Sequence, residues 1–450
     1  MTRPNITEIH STDGRIQALL NLGFELRVRR TDNGDYIKPS LFNIVQLLRN
    51  HPLLRGRLTQ DGFSNIIFWR DESDKEVRFS DKSHVPELRF LCEDRWGVSF
   101  KKEEVLSAVQ IVSSENIINP LHDHLDSLRG LWNPERDKPE AYKLLHYLGS
   151  PDSAKKGEPG YMARVYSHRW LLSVIARAYA TLDNLVKADP CLLLYGHQRI
   201  GKSRALETIC FYDALGRRYF GDNELDMSDY PDAVMQIQGK LIYELQEMAG
   251  RPRDAKIEKR FLSIQKDDCR FVYGKFNQET PRRTVFAYTT NKKNVLTDAS
   301  GNSRLWCVDL GSKKIDIPRL RDRMPYIWSE ILYRYDDYMR DPKNPKKAHL
   351  GQWWLTNEEE IEHIGESSAF EQTHPMTERV EEIIAETEDL PLSVAQILRQ
   401  LREELSPFLE SGVRANSQII SDILQRNRYE YDRRRPPEGG DRVRGWWPPS

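Results

Sequence analysis

The chain has 450 residues, enough for two to four compact units and at least one large core. Its 67 Lys and Arg offset 68 Asp and Glu to a net charge of −1, which excludes a generally basic chain and leaves local segregation of charge as the only source of a nucleic-acid surface. No run approaches the roughly 18 apolar residues of a membrane span, no apolar leader opens the chain, and its five cysteines lie far apart with no C-x-x-C pair; the expectation is reduced thiols in a soluble, cytoplasmic, non-membrane protein.

The first periodic segment is "KPSLFNIVQLLRNHPLLRG", where Leu41, Ile44, Val45 and Leu48 share a helical face and Pro52 closes the element. "SNIIFW" then reads as a strand, so residues 1–115 are expected to form a small α/β unit. "NPLHDHLDSLRGLW", "EAYKLLHYLGS" and the long pattern at 163–186 give a helical region over 116–189. Within it, His122, Asp123, His124 and Asp126 lack further spaced ligands and read as a polar helix face, so no structural metal is expected.

Residues 190–330 alternate strand-like runs with helices, the pattern of a parallel sheet. The first run, "CLLLYGHQRIGKS", fits G-x-x-x-x-G-K-[ST] between a strand and a helix. In such a loop the backbone N–H groups after Gly196 and Gly201 surround the phosphates of ATP, Lys202 reaches the outer phosphate oxygens, and the Ser203 hydroxyl joins Mg²⁺. An ATPase also needs carboxylates at a neighbouring strand end. "GKLIYELQEM" supplies Glu244, assigned to the Mg²⁺ side, and Glu247, assigned to polarising water, with the two roles exchangeable. "TVFAYTTN" ends in Asn291, a strand-end polar group that can sense a γ-phosphate, and "DASGNSRLWCVDL" presents Arg304 as an arginine finger for a neighbouring subunit.

Between the acids and Asn291, basic residues alternate with Phe261, Phe271, Tyr273 and Phe276, a mixture suited to phosphate neutralisation and base stacking. Lys275, Arg282 and Arg283 are the DNA-contact candidates there. After a helical connector at 331–374, residues 375–450 read as two or three helices and a small β element, the order of a winged-helix-like DNA-binding domain, with Arg433, Arg434 and Arg435 either in the wing or in a disordered basic tail.

The succession "GHQRIGKS", "GKLIYELQE", "FLSIQKDDCRFVYGKFNQETPRRTVFAYTTN" and "GNSRLWCVDL" resembles the virulence-associated protein E family of phage, plasmid and genomic-island ATPases, relatives of superfamily 3 helicases within the AAA+ fold. The resemblance extends over about residues 35–310. It implies a hexameric ring in a bacterial host cell that moves on DNA with ATP bound between neighbours. It further implies a central-channel hairpin between the acids and Asn291, and a primase or polymerase partner from host or element. Lys202 and Ser203 correspond to the Walker A pair, Glu244 and Glu247 to the Walker B acids, Asn291 to the first sensor and Arg304 to the finger. Two departures stand out: the family usually has glycine where this chain has Arg199, and often a second arginine where it has Ser303.

Three functions fit these residues: a DNA helicase or replication-initiation ATPase acting on single-stranded and duplex DNA; a DNA-binding ATPase switch without unwinding, serving regulation or interference with a competing phage; and a scaffold with a vestigial site. The paired acids, Asn291 and Arg304 argue against the third.

Overall fold

The computed structural model describes residues 14–31, 34–246, 255–269, 278–293, 296, 304–370, 377–386, 391–404, 417–426, 429–435 and 441–448. These fall into two compact units, one reaching Lys293 and resuming up to Ser367, the other built from Leu296 and the residues from Ser368 onward.

At the start of the first unit, helices Leu41–Asn50, His84–Trp96 and Lys102–Glu115 bury Ile44, Leu47, Leu88, Trp96, Val105 and Val109 in one apolar cluster. The accompanying sheet runs Glu76–Arg78, Ile67–Arg70, Leu58–Asp61, Ile117–Ile118, so its last strand lies beyond the boundary expected at 115. Buried polar contacts tie this region to the remainder of the unit. Asp61, fully buried, accepts hydrogen bonds from the Tyr219 hydroxyl at 2.7 Å and the Phe63 amide at 2.9 Å.

The rest of the unit is a five-stranded sheet with helices on it. Its strands are β1 (Cys191–Tyr195), β2 (Phe220–Gly221), β3 (Ile242–Gln246), β4 (Val285–Thr290) and β5 (Leu305–Asp309), ordered β5-β1-β4-β3-β2 with every pairing parallel. The strands read as nearly unbroken apolar runs because both faces are covered, as parallel sheets require. Helix α1 (Tyr161–Ala178) is buried almost all round, α2 (Lys202–Ile209) follows β1, and α3 (Ile317–Arg340) runs for 24 residues. The domain edge expected at 330 therefore falls inside a single helix, whose apolar stripe of Leu320, Met324, Ile327 and Ile331 continues through it. The region expected as a separate helical segment at 116–189 belongs to the same core: Leu121, Leu144, Trp170 and Leu171 pack in one cluster with β1 and β4.

Between β3 and β4, Lys266–Cys269 pairs antiparallel with Gln278–Pro281. The base of this hairpin is fixed by an interior ion pair: Arg282, 1% exposed, donates through Nε and an Nη to the two oxygens of Asp267, both at 2.5 Å, with its guanidinium 4.5 Å from the Phe261 ring centre. Arg177 of α1 donates to the carbonyls of Arg282 (2.6 Å), Ile264 (3.1 Å) and Ala188 (3.4 Å). Complete burial without a carboxylate bonded to it pulls Arg177 down to about 9.

In the second unit, helices Thr377–Glu386, Val394–Glu404 and Ser417–Arg426 bury Val380, Ile383, Ile397, Leu401, Ile420 and Leu424 against Trp446. Strand Glu430–Arg434 pairs antiparallel with Val443–Trp447, and Leu392 adds a bridge to Trp446.

Removing one partner of a buried ion pair leaves the other charge uncompensated. Arg282→Ala is expected to destabilise the first unit by about 3–5 kcal/mol, read as a lowered urea midpoint. A midpoint equal to that of the unaltered protein would mean Asp267 is not confined by this pair.

Candidate functional site

The glycine loop leaves β1 at Tyr195 and is held between two strand ends: the Gly196 amide donates to the Thr290 carbonyl at 3.2 Å and the His197 amide to the Gly311 carbonyl at 3.1 Å. A Cβ on Gly196 would lie 2.8 Å from Ile200 Cδ1, so the position admits only glycine without movement. Ile200, 4% exposed, anchors the loop in the core, and its carbonyl accepts from the Ile315 amide at 2.9 Å. The intervening His197, Gln198 and Arg199 are exposed. Gly201 caps α2 with φ 102°, and Lys202 is the first helical residue. The N–H groups of the first turn of α2 thus open beside the loop, the arrangement that favours an anion.

Arg199 has φ 64°, in the left-handed region. Glycine adopts this conformation freely, whereas a side chain with Cβ costs about 1–2 kcal/mol there. The departure from the family's glycine thus resides in the backbone: the arginine side chain points outward and does not crowd the loop interior.

Lys202 turns back over the loop, Nζ donating to the carbonyls of Gly196 at 2.7 Å and His197 at 3.0 Å. Partial burial lowers its pKa, and the charge of Glu244 opposes that shift. Glu244, in the middle of β3, is fully buried. Its Oε1 accepts from Ser203 Oγ at 2.7 Å and Thr289 Oγ1 at 2.6 Å, while Oε2 is buried without a hydrogen-bond partner. Burial raises the Glu244 pKa, and side-chain contacts with Thr289, Ser203 and Gln246 oppose the rise. A carboxylate with one free oxygen beside a hydroxyl is a hard-oxygen donor set, and the chemistry fits Mg²⁺. Thr289 was not singled out by sequence reasoning. The available signal was its hydroxyl near the end of an otherwise apolar strand that neighbours both β1 and β3.

Asn291 follows β4 directly and is exposed at the edge where the loop leaves β1, since Thr290 stands opposite Tyr195. Arg304 lies at the other edge. Leu305 is in register with Cys191, so Arg304 stands by the start of β1, about 16 Å along the strands from the loop. Its Nε is 3.7 Å from Asp189 Oδ2. Gly196, Gly201, Lys202, Ser203, Glu244 and Asn291 thus gather at one end of the sheet within a single chain, and Arg304 does not. Glu247 and Lys275 lie outside the described residues, as does the connection 270–277 of the hairpin.

Two of the expected DNA contacts are corrected. Arg282 is interior and committed to Asp267, and half-buried Arg283 donates to the carbonyls of Phe63 (2.9 Å), Gly62 (3.1 Å) and Ala180 (3.2 Å). Both guanidiniums are used inside the protein because Asp267 and the unpaired carbonyls of the Gly62–Phe63 turn face them. In the second unit, Arg433 and Arg435 are exposed on the terminal hairpin, while Arg434 pairs with Glu430 and Asp432.

Residues 135–381 match the virulence-associated protein E-like domain, more than half of the chain. The chain belongs to this family. The match takes in α1, the entire five-stranded sheet and α3. No curated protein matches the chain. Two apo structures of the NrS-1 C-terminal region align at 11% and 10% identity, covering 82% and 81% of this chain and 87% of their own, each with a TM-score of 0.36. A score that low carries no argument about fold or function. Among the described residues no helix is long and apolar enough to cross a membrane.

Two measurements probe the site. Because a β-branched residue is a genuine outlier at positive φ, Arg199→Val is expected to weaken binding of a fluorescent ATP analogue by roughly tenfold while Arg199→Gly stays within about threefold, a tenfold difference corresponding to the ~1.4 kcal/mol scale of such strain. Equal affinities for the two variants would remove the backbone account. For Glu244 the sign follows from its raised pKa: the folded state retains a proton that the unfolded chain has already released, so the group's contribution is present below its ordinary 4.5 and is lost as pH rises through the folded value. Without divalent ions, the melting temperature of Glu244→Gln should therefore gain on the unaltered protein between pH 4 and neutrality, and a constant difference would contradict the raised value.

Proposed function

We propose that the protein is an ATP-hydrolysing motor of the AAA+ type that acts on DNA in the replication of a mobile genetic element. One observation carries this reading: the buried Glu244 carboxylate, bonded by Ser203 and Thr289 with one oxygen left unpaired, directly behind a glycine loop and the start of a helix.

In this mechanism the phosphates of ATP lie against the N–H groups of the loop and of the first turn of α2. Lys202 exchanges its two carbonyl acceptors for charged phosphate oxygens, which bind an ammonium more strongly. Ser203 and Glu244 would hold Mg²⁺. Bound there, the ion neutralises charge on the transferring phosphate. Thr289 keeps the carboxylate turned toward Ser203. Glu247 orients the attacking water, and Asn291, exposed at the same sheet edge, senses the γ-phosphate. Arg304 stands too far from its own loop to serve it and acts on ATP bound by a neighbouring chain in a hexameric ring.

DNA is the track. Lys275 in the hairpin connection contacts single-stranded DNA. The second unit, three helices followed by an antiparallel hairpin with a bridging strand residue, suits a winged-helix-like module in which Arg433 and Arg435 meet phosphates of duplex DNA. A primase or polymerase of host or element is the expected partner, in the cytoplasm of a bacterial cell.

The test pairs ATP hydrolysis with unwinding of a forked duplex. Lys202→Ala and Glu244→Gln are each expected to lower DNA-stimulated hydrolysis by at least about 10²-fold, the scale of removing one electrostatic contact to the transition state. Arg304→Ala and Lys202→Ala subunits, each inactive alone, should recover part of the activity when mixed. Full activity of Arg304→Ala alone would sink the shared-site assignment. Hydrolysis with no strand separation at any salt would instead mark a DNA-binding ATPase switch.

A further inference from the structure

The N-terminal hairpin of Val28–Arg29 and Tyr36–Ile37 sets like charges across its strands with no ion pair among the described residues to offset them. Its register sets Val28 opposite Ile37 and Arg29 opposite Tyr36, and the Lys38 amide donates to the Arg27 carbonyl at 2.9 Å. Side chains alternate faces along a strand. One face, with Ile37 2% exposed and Val28 partly buried, packs on the N-terminal core. The other therefore presents Arg27 beside Lys38 and Arg29 beside Tyr36, with Arg30 next along the chain. All four cations are exposed, and Tyr36 is 38% exposed.

Like charges directly across a strand pair are destabilising. A nearby carboxylate would relieve that, yet among the described residues none of these four cations forms an ion pair, Glu25 and Asp35 included. The face is rigid all the same. Asn43, fully buried on helix Leu41–Asn50, donates to the Arg27 and Lys38 carbonyls at 2.7 and 2.8 Å and accepts from the Arg27 amide at 2.8 Å. Both strands are thus clamped to the helix at one point. The Arg27 guanidinium lies 4.6 Å from the Phe42 ring centre and that of Arg29 lies 5.9 Å from the Tyr36 ring centre, so aromatic surfaces orient the cations without neutralising them. A local conflict of this kind, held in place by a buried polar clamp, is expected where an external ligand resolves it.

We propose that this face, Arg27, Arg29, Lys38 and Tyr36, is a binding site for single-stranded DNA. The cations neutralise successive phosphates. Tyr36, whose ring lies among them and is open to solvent, supplies a stacking surface for a base, a combination that suits unpaired strands and is of no use to a closed duplex.

The experiment uses the full chain, without nucleotide so that the outcome is independent of the ATPase reading, and follows the fluorescence anisotropy of labelled oligothymidine across a salt titration. The triple variant Arg27→Ala/Arg29→Ala/Lys38→Ala is expected to bind at least about tenfold more weakly, with the slope of log affinity against log salt flattened by about 2, at roughly 0.7 per phosphate contact. Tyr36→Ala should lose roughly tenfold, while Tyr36→Phe keeps the affinity. Melting temperatures of the triple variant and of Tyr36→Phe should stay close to that of the unaltered protein, because the repulsion removed offsets the loss of the Arg27–Phe42 and Arg29–Tyr36 contacts. Binding by the folded triple variant within twofold of the unaltered protein, with an unchanged salt slope, overturns the proposal. A silent Tyr36→Ala together with equal losses on single-stranded and duplex probes would show a phosphate-only surface and would overturn the single-strand assignment.

Discussion

The loop-bearing end of the sheet depends on one costly group, the carboxylate of Glu244 in the middle of a parallel sheet. Burial alone favours its protonated form. Two hydroxyls reduce the penalty, and they come from different elements: Ser203 from the first turn of α2 and Thr289 from β4. Because β4 lies between β1 and β3, the strand that carries Thr289 also separates the loop-bearing strand from the acid-bearing one. Glu244 is therefore the point where α2, β3 and β4 meet. A shift of α2 relative to the sheet changes the hydrogen bond from Ser203, and with it the balance between charged and neutral carboxyl. The free Oε2 is what keeps the arrangement unfinished. A purely structural acid would have both oxygens satisfied, as Asp267 does with Arg282.

A second set of buried charges links the sheet to the hairpin. Arg177 of α1 grips the carbonyls of Arg282, Ile264 and Ala188, and Arg282 in turn holds Asp267. Of these four acceptors, Ala188 precedes β1, Ile264 leads into the hairpin, Asp267 lies in its first strand and Arg282 ends it. The hairpin strands are short, and a two-stranded ribbon is only marginally stable by itself. The interior arginines give its base the rigidity that its own ladder lacks. Arg283 extends this role to the Gly62–Phe63 turn of the N-terminal region.

The glycine loop, its strand and its helix were legible because each is local: an apolar run, glycines where the backbone needs them, and a helical pattern directly after. Glu244 was legible as an acid on a neighbouring strand, though it sits in the middle of that strand and not at its end, whereas its partner Thr289, more than forty positions along the chain, was not. Sequence distance hides a contact that sheet order makes. The basic and aromatic interval between the acids and Asn291 was read as one surface, yet composition does not tell which arginine faces inward. The register of Lys266 with Pro281 decides it, by bringing Asp267 beside Arg282. The edge expected at 330 falls within α3, whose buried stripe runs from Leu320 to Tyr335.

Arg304 illustrates how topology constrains function more tightly than motif order. In sequence it follows the loop, the acids and Asn291 as if completing one site. In space β5 and β1 are parallel neighbours, and a residue that precedes β5 must lie at the end opposite the residue that follows β1. No side-chain rearrangement spans the length of the sheet, since an arginine reaches less than half of it. The side chain instead rests near Asp189, with its Nε and Asp189 Oδ1 both buried and unbonded, an ion-pair geometry too long for a hydrogen bond. Such a loose pair holds the guanidinium close to the surface at little cost in affinity for a better acceptor. On the proposed reading, Arg304 would serve a phosphate only on a second molecule whose own loop faced this edge, because its own loop lies at the other end of the sheet.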